Sequence, residues 1–111
     1  MLYELRVYEV VPGRMPAVVN RFANITLELF KKHGIKPVLF LEPVLGINNQ
    51  LTYLLRWNSL AEREERWDAF ASDPEWIAAR NETEKDGPIV ARVTNTIHRE
   101  IPSLMAKLKE M

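Results

Sequence analysis

The chain has two histidines, and His33 is the better placed of them to act as an acid or base. By the 3.6-residue count, Thr26 and His33 fall on the inward side of one helical stretch. Tyr53 and Trp57 sit on a strand pointing to the same layer, and Asn95 interrupts the apolar parity of another strand. A few convergent polar groups in an apolar layer are the usual make-up of a small-ligand site. Thr26, Tyr53, Trp57 and Asn95 are therefore the expected ligand contacts, for a small apolar or aromatic molecule, with His33 as the proton-transfer group if the site is catalytic. The plainer reading has His33 capping helix carbonyls, Asn95 marking a bulge and Tyr53 reaching solvent. A second set, Glu4, Arg6, Arg56 and Arg92, shares the opposite face. It suits an acidic ligand or, preferably, an ion network that fixes the register of a dimer, because acids are available to match the arginines.

Other chemistries are not indicated. There is no cysteine, hence no disulfide, thiolate nucleophile or thiolate metal site. No second histidine stands at metal-ligand spacing from either of the two, so no metal is expected. The sequence has no P-loop, dinucleotide fingerprint, GxSxG or HExxH, and no cofactor is expected. Fifteen acids balance fifteen Lys and Arg residues, without runs of one sign, which argues against nucleic acid or an anionic membrane as partner. The N-terminus does not read as a signal peptide, and no apolar run approaches membrane-spanning length; a soluble, cytoplasmic protein is expected.

The 111 residues, 47% apolar and 27% charged, amount to one globular domain with a thin core, for which association would help. Residues 2–10 alternate as a strand. Pro12 and Gly13 turn the chain, and Met15, Val18, Val19, Phe22, Ile25 and Leu29 form one helical stripe, closed by Gly34. Residues 35–45 are apolar but carry Pro37 and Pro43, which predicts an edge strand. "GINNQ" predicts a hairpin turn and "QLTYLLRW" its return strand. Ser59 and Glu62 form a capping box for a helix over 60–71, with Leu60, Trp67, Phe70 and Ala71 inside. "DPEW" at 73–76 predicts a helix joint: Ser72 or Asp73 caps, Pro74 opens a new first turn, and Trp76 plugs the core. Residues 89–101 alternate as the last strand. The tail, 102–111, predicts a short helix that needs a surface to lie on and is expected to pack on the dimer.

The order β-α-β-β-α-β over 1–101 predicts a ferredoxin-like α+β domain with an antiparallel sheet. The helix-covered face is expected to carry Tyr3, Leu5 and Val7, then Leu51, Tyr53, Leu55 and Trp57, then Ile89, Ala91, Val93 and Ile97. Glu4, Arg6, Arg56 and Arg92 then fall on the other, mixed face, where a second copy's sheet is expected to pack. "YELRVYEVVPG", "KKHG", the Asn-containing hairpin before "LTYLLRWNSLAERE", and "DPEW" resemble, in order, the NIPSNAP family over residues 2–99. That resemblance implies a dimeric α+β barrel, two such sheets face to face with the helices outside. The wider superfamily includes cofactor-free monooxygenases, haem enzymes, isomerases and plain binding proteins, typically with the pocket between sheet and helices. Two functions are expected from this: a binding module for a small apolar or aromatic ligand, or a cofactor-free monooxygenase or isomerase with His33 as acid/base.

Overall fold

The computed structural model describes residues 1–111. Strands β1 (Leu2–Val10), β2 (Lys36–Leu41), β3 (Gln50–Trp57) and β4 (Val90–Arg99) form one sheet in the order β2-β3-β1-β4. Every neighbouring pair is antiparallel. Between β1 and β2 runs a continuous helix in three parts: α1 (Met15–Arg21), a π-helical turn (Phe22–Thr26) and α2 (Leu27–Lys32). Helices α3 (Leu60–Ala71) and α4 (Pro74–Thr83) link β3 to β4, and α5 (Pro102–Leu108) ends the chain. This is the ferredoxin-like α+β arrangement, with β2 an edge strand, a position that tolerates Pro37.

Local chemistry sets the boundaries. The Ser59 hydroxyl accepts from the Glu62 amide at 3.0 Å and starts α3. Asp73 caps α4, accepting from the Glu75 amide at 2.8 Å, with Pro74 in the first turn. Gly34 ends α2 at φ +70°, a conformation glycine takes without steric cost. Asn49 turns the β2–β3 hairpin at φ 60°. No helix is long and apolar enough to cross a membrane.

The core lies between the helices and one sheet face. Tyr53, Leu55, Trp57, Val18, Phe30 and Ile89 have almost no exposed surface. The other face carries no helix and presents Leu39, Leu54, Leu5 and Val7.

Three expectations are corrected. In β1 the parity is inverted: Glu4 and Arg6 pair with Leu55 and Tyr53 on the helix side. Tyr3, Leu5 and Val7 face the open side, opposite Arg56, Leu54 and Thr52. Alternation defines two faces but not which one is covered; here a charged residue of α3, Arg63, reaches down and makes the charged parity the buried one. Consequently Glu4, Arg6, Arg56 and Arg92 do not form one network, since Arg56 and Arg92 remain on the open face and Arg92 pairs with Glu9 at 3.3 Å. In α3, Leu60 is 60% exposed, and the inward stripe is Arg63, Trp67 and Phe70. Finally, Trp76 is half-buried rather than a core plug. Its ring packs 4.8 Å from that of Phe70 and carries the Arg21 guanidinium 5.2 Å above it.

That geometry sets relative costs. Phe70→Ala, which removes a buried ring, should destabilise by about 3–5 kcal/mol. Trp76→Ala, from a half-buried site, should cost about 2 kcal/mol, close to half a full burial. Urea unfolding of the two variants checks the order, and an equal or larger loss for Trp76→Ala would contradict it.

Candidate functional site

Two features converge between sheet and helices: a buried polar cluster and an apolar cleft. The cluster is centred on the Glu4 side chain, which has no exposed surface. Arg63 reaches from α3 to both of its oxygens, Nε to Oε1 at 2.7 Å and Nη2 to Oε2 at 3.0 Å. Arg6 donates to Oε2 at 2.9 Å, Asn95 to Oε2 at 3.0 Å, and the Trp57 indole to Oε1 at 3.0 Å. Burial alone would raise the Glu4 carboxyl, but the hydrogen bonds from Arg63, Asn95 and Arg6 outweigh it and hold its pKa at about 2. Glu4 is thus an anion whose lone pairs are occupied, poorly suited to taking a proton from a substrate.

A hydrogen-bond chain leads away from it. Arg6 Nε donates to the Tyr53 hydroxyl at 2.8 Å, and the Tyr53 and Tyr8 hydroxyls are 2.9 Å apart. The Arg6 guanidinium also lies 4.3 Å above the Trp67 ring. Burial works against the Arg6 charge, but facing Tyr53, Tyr8 and Glu4 more than offset it and raise its pKa. Burial pushes the Tyr53 phenol well above its ordinary range. Both groups therefore keep their protons at neutral pH.

The cleft lies along the helix that follows β1. The π-helical turn, in which the Leu27 amide donates to the Phe22 carbonyl, inserts one extra residue into the turn. Such turns are frequent at functional sites. Val19, Phe22, Ala23 and Leu27 form one wall and Phe40 and Leu51 the other, enclosing an open-mouthed cavity of about 190 Å³ with only hydrocarbon at its lining. Behind it the Phe40 and Tyr53 rings stack at 5.0 Å, and Phe22 meets both edge-on at 5.0 and 5.1 Å.

The structure gathers only some of the residues singled out in the sequence. Tyr53, Trp57 and Asn95 join through Glu4 and Arg6. Thr26 is buried on the helix, its hydroxyl without a hydrogen-bond partner. His33 stands apart: it ends α2, and its Nε2 lies 2.7 Å from Asp73 Oδ2, which also accepts from Lys32 at 2.8 Å. Hydrogen bonds from Lys32 and His33 hold the Asp73 carboxyl below the usual carboxylate range. The pair clamps the end of α2 to the α3–α4 joint, and none of Thr26, His33, Trp57 or Asn95 lines the apolar cleft. Arg63 and Tyr8 are the cluster members that sequence reasoning missed. A signal existed for Arg63: it lies four and seven residues before Trp67 and Phe70, on the apolar stripe of α3, so burial demanded a counter-charge from the sheet.

A family model described as NIPSNAP matches residues 3–104. No curated protein matches the chain. Among solved structures, a protein of Agrobacterium tumefaciens, described as a NIPSNAP family protein with unknown function, is 25% identical, with 91% of this chain and 94% of that one covered and a TM-score of 0.80. An uncharacterised NIPSNAP-like domain protein from Burkholderia xenovorans is 19% identical, covering 90% and 84%, TM-score 0.80. A Nitrosomonas europaea protein assigned as an antibiotic biosynthesis monooxygenase is 9% identical, covering 91% and 99%, TM-score 0.61; these last two likenesses are ones of fold.

The Glu4 cluster gives a pH signature. A carboxyl lowered from 4.5 to about 2 on folding contributes stability that is complete above about pH 4.5 and is lost as pH falls towards 2, on the order of 3 kcal/mol in all. The Glu4 carboxyl resonance should accordingly titrate near pH 2 in a carbon-detected NMR series. A midpoint close to 4.5 would show that the cluster does not hold the anion.

Proposed function

The chain belongs to the NIPSNAP family, and from that premise we propose that it works as a small homodimeric binding domain, taking up a small apolar or aromatic molecule beneath the π-helical turn. The observation that carries this reading is the cavity of about 190 Å³ with a wholly hydrocarbon lining. A dry cavity of about 150 Å³ is enough to bind benzene, so a ligand of one ring or a short alkyl chain fits. The lining offers no nucleophile, acid or base, which favours binding over catalysis. A monooxygenase or isomerase using His33 would need that imidazole at the cleft, and it is bound to Asp73 instead.

Dimerisation belongs to the same reading. The helix-free sheet face leaves Leu39 and Leu41 41% and 52% exposed, next to Leu54, Leu5 and Val7. A second copy's sheet would bury this face, as the barrel of the family requires. Arg92 would lie at that interface, without Glu4 and Arg6, and Arg56 would lie at its rim, beside Lys36 at the start of the edge strand.

Isothermal titration with indole and with 1-octanol tests the cleft. Both should bind the wild type, and Ala23→Trp, which fills the mouth from an exposed helix position, should weaken both at least tenfold without loss of melting temperature. His33→Ala should lower the melting temperature and leave both affinities unchanged. Failure of both probes to bind, or equal binding by Ala23→Trp, would overturn the reading. Sedimentation equilibrium tests the assembly: the wild type should be a dimer at micromolar concentration, and Leu54→Lys a folded monomer.

A further inference from the structure

The apolar cleft does not end at Leu27. The same side chain forms the rim of a second, larger groove of about 490 Å³, whose walls carry Lys31 from α2, Lys36 from β2 and Arg56 from β3. Both hollows follow the seam between the helix and β2, one at Phe40 and the other at Lys36 and Pro37. Four strand steps lead from Lys36 to Phe40, about 13 Å at roughly 3.3 Å each. One molecule of modest length can therefore span both.

The charges in the second groove have no protein partner. None of Lys31, Lys36 and Arg56 takes part in an ion pair, and no acid lines the groove. Glu62 lies at an adjoining hollow beside Lys36 and Arg56, but its carboxylate is occupied by Arg66 at 3.2 Å and Asn58 at 2.8 Å. Several carbonyls at the end of α2, which would repel an anion, are also taken. The Leu29 and Lys31 carbonyls accept from the His33 and Gly34 amides, and the Gly34 carbonyl accepts from Arg66. Three unneutralised cations around one concavity attract an anion, and the neighbouring lining attracts hydrocarbon.

We propose that the ligand is a small amphiphile with a single anionic head, its apolar part in the cleft at Phe22 and Phe40 and its head among Lys31, Lys36 and Arg56. This rests on the binding reading above and adds the ligand's polar end.

Octanoate and 1-octanol, which share a chain and differ in the head, separate the two claims by isothermal titration at low salt and neutral pH. The wild type should bind octanoate at least tenfold more tightly than octanol, and added sodium chloride should erode that advantage. The exposed double variant Lys31→Gln/Lys36→Gln should bring octanoate down to the affinity of octanol and leave octanol unchanged. Equal binding of the two probes by the wild type would overturn the anionic head while leaving the apolar cleft standing. An octanoate preference that survives the double variant would also overturn it. Binding of neither probe would remove both the cleft and the head.

Discussion

A carboxylate without access to water must have its charge answered by the protein, and Glu4 meets that condition through four side chains. Arg6 shares its strand, Trp57 comes from β3, Asn95 from β4 and Arg63 from α3. Three strands and one helix are thus held at a single pair of oxygen atoms. Truncating one partner of such a group costs several kcal/mol, because it leaves a buried charge uncompensated. The cluster also fixes which face of β1 is covered: a shift of one residue would place Leu5 against Arg63 and expose Glu4. The same anchor places Trp67, one turn beyond Arg63, over the Arg6 guanidinium.

The second constraint is the end of the first long helix. Lys32 and His33 converge on Asp73, which is at the same time the cap of α4. One carboxylate therefore ties α2 to the α3–α4 joint and explains why an acid precedes Pro74. With both ends of the helical layer fixed in this way, the π-helical turn between α1 and α2 is where the helix departs from regular spacing. The cleft opens beside that turn, where Val19, Ala23 and Leu27 face Phe40 and Leu51.

These two anchors set buried charge within an otherwise apolar core and leave an apolar cleft at its margin. Its titratable interior groups are held in one protonation state: Glu4 charged, Tyr53 neutral. They tie the sheet to α3 behind the seam. The hollow beside β2 is lined by hydrocarbon, with Lys31, Lys36 and Arg56 beyond Leu27. In the proposed binding reading, ties of this kind behind a pocket would lower the ordering cost of binding.

The sequence by itself determined the element order, the capping of α3 by Ser59, the joint at Asp73 and Pro74, the turn at Asn49 and the edge position of β2. Each of these depends on residues close in the chain, so local geometry and alternation suffice to read them. The tertiary structure alone decided which face of β1 is buried. Alternation marks Glu4 and Arg6 as one parity, but only the arrival of Arg63, from 59 residues away, makes burial of that parity tolerable. It also decided that His33 belongs to Asp73, 40 residues on, rather than to the pocket layer. The cleft itself arises where a π-helical turn meets two strand residues, Phe40 and Leu51. Neither periodicity nor composition marks such a meeting, because it depends on how far one helix is displaced along a sheet.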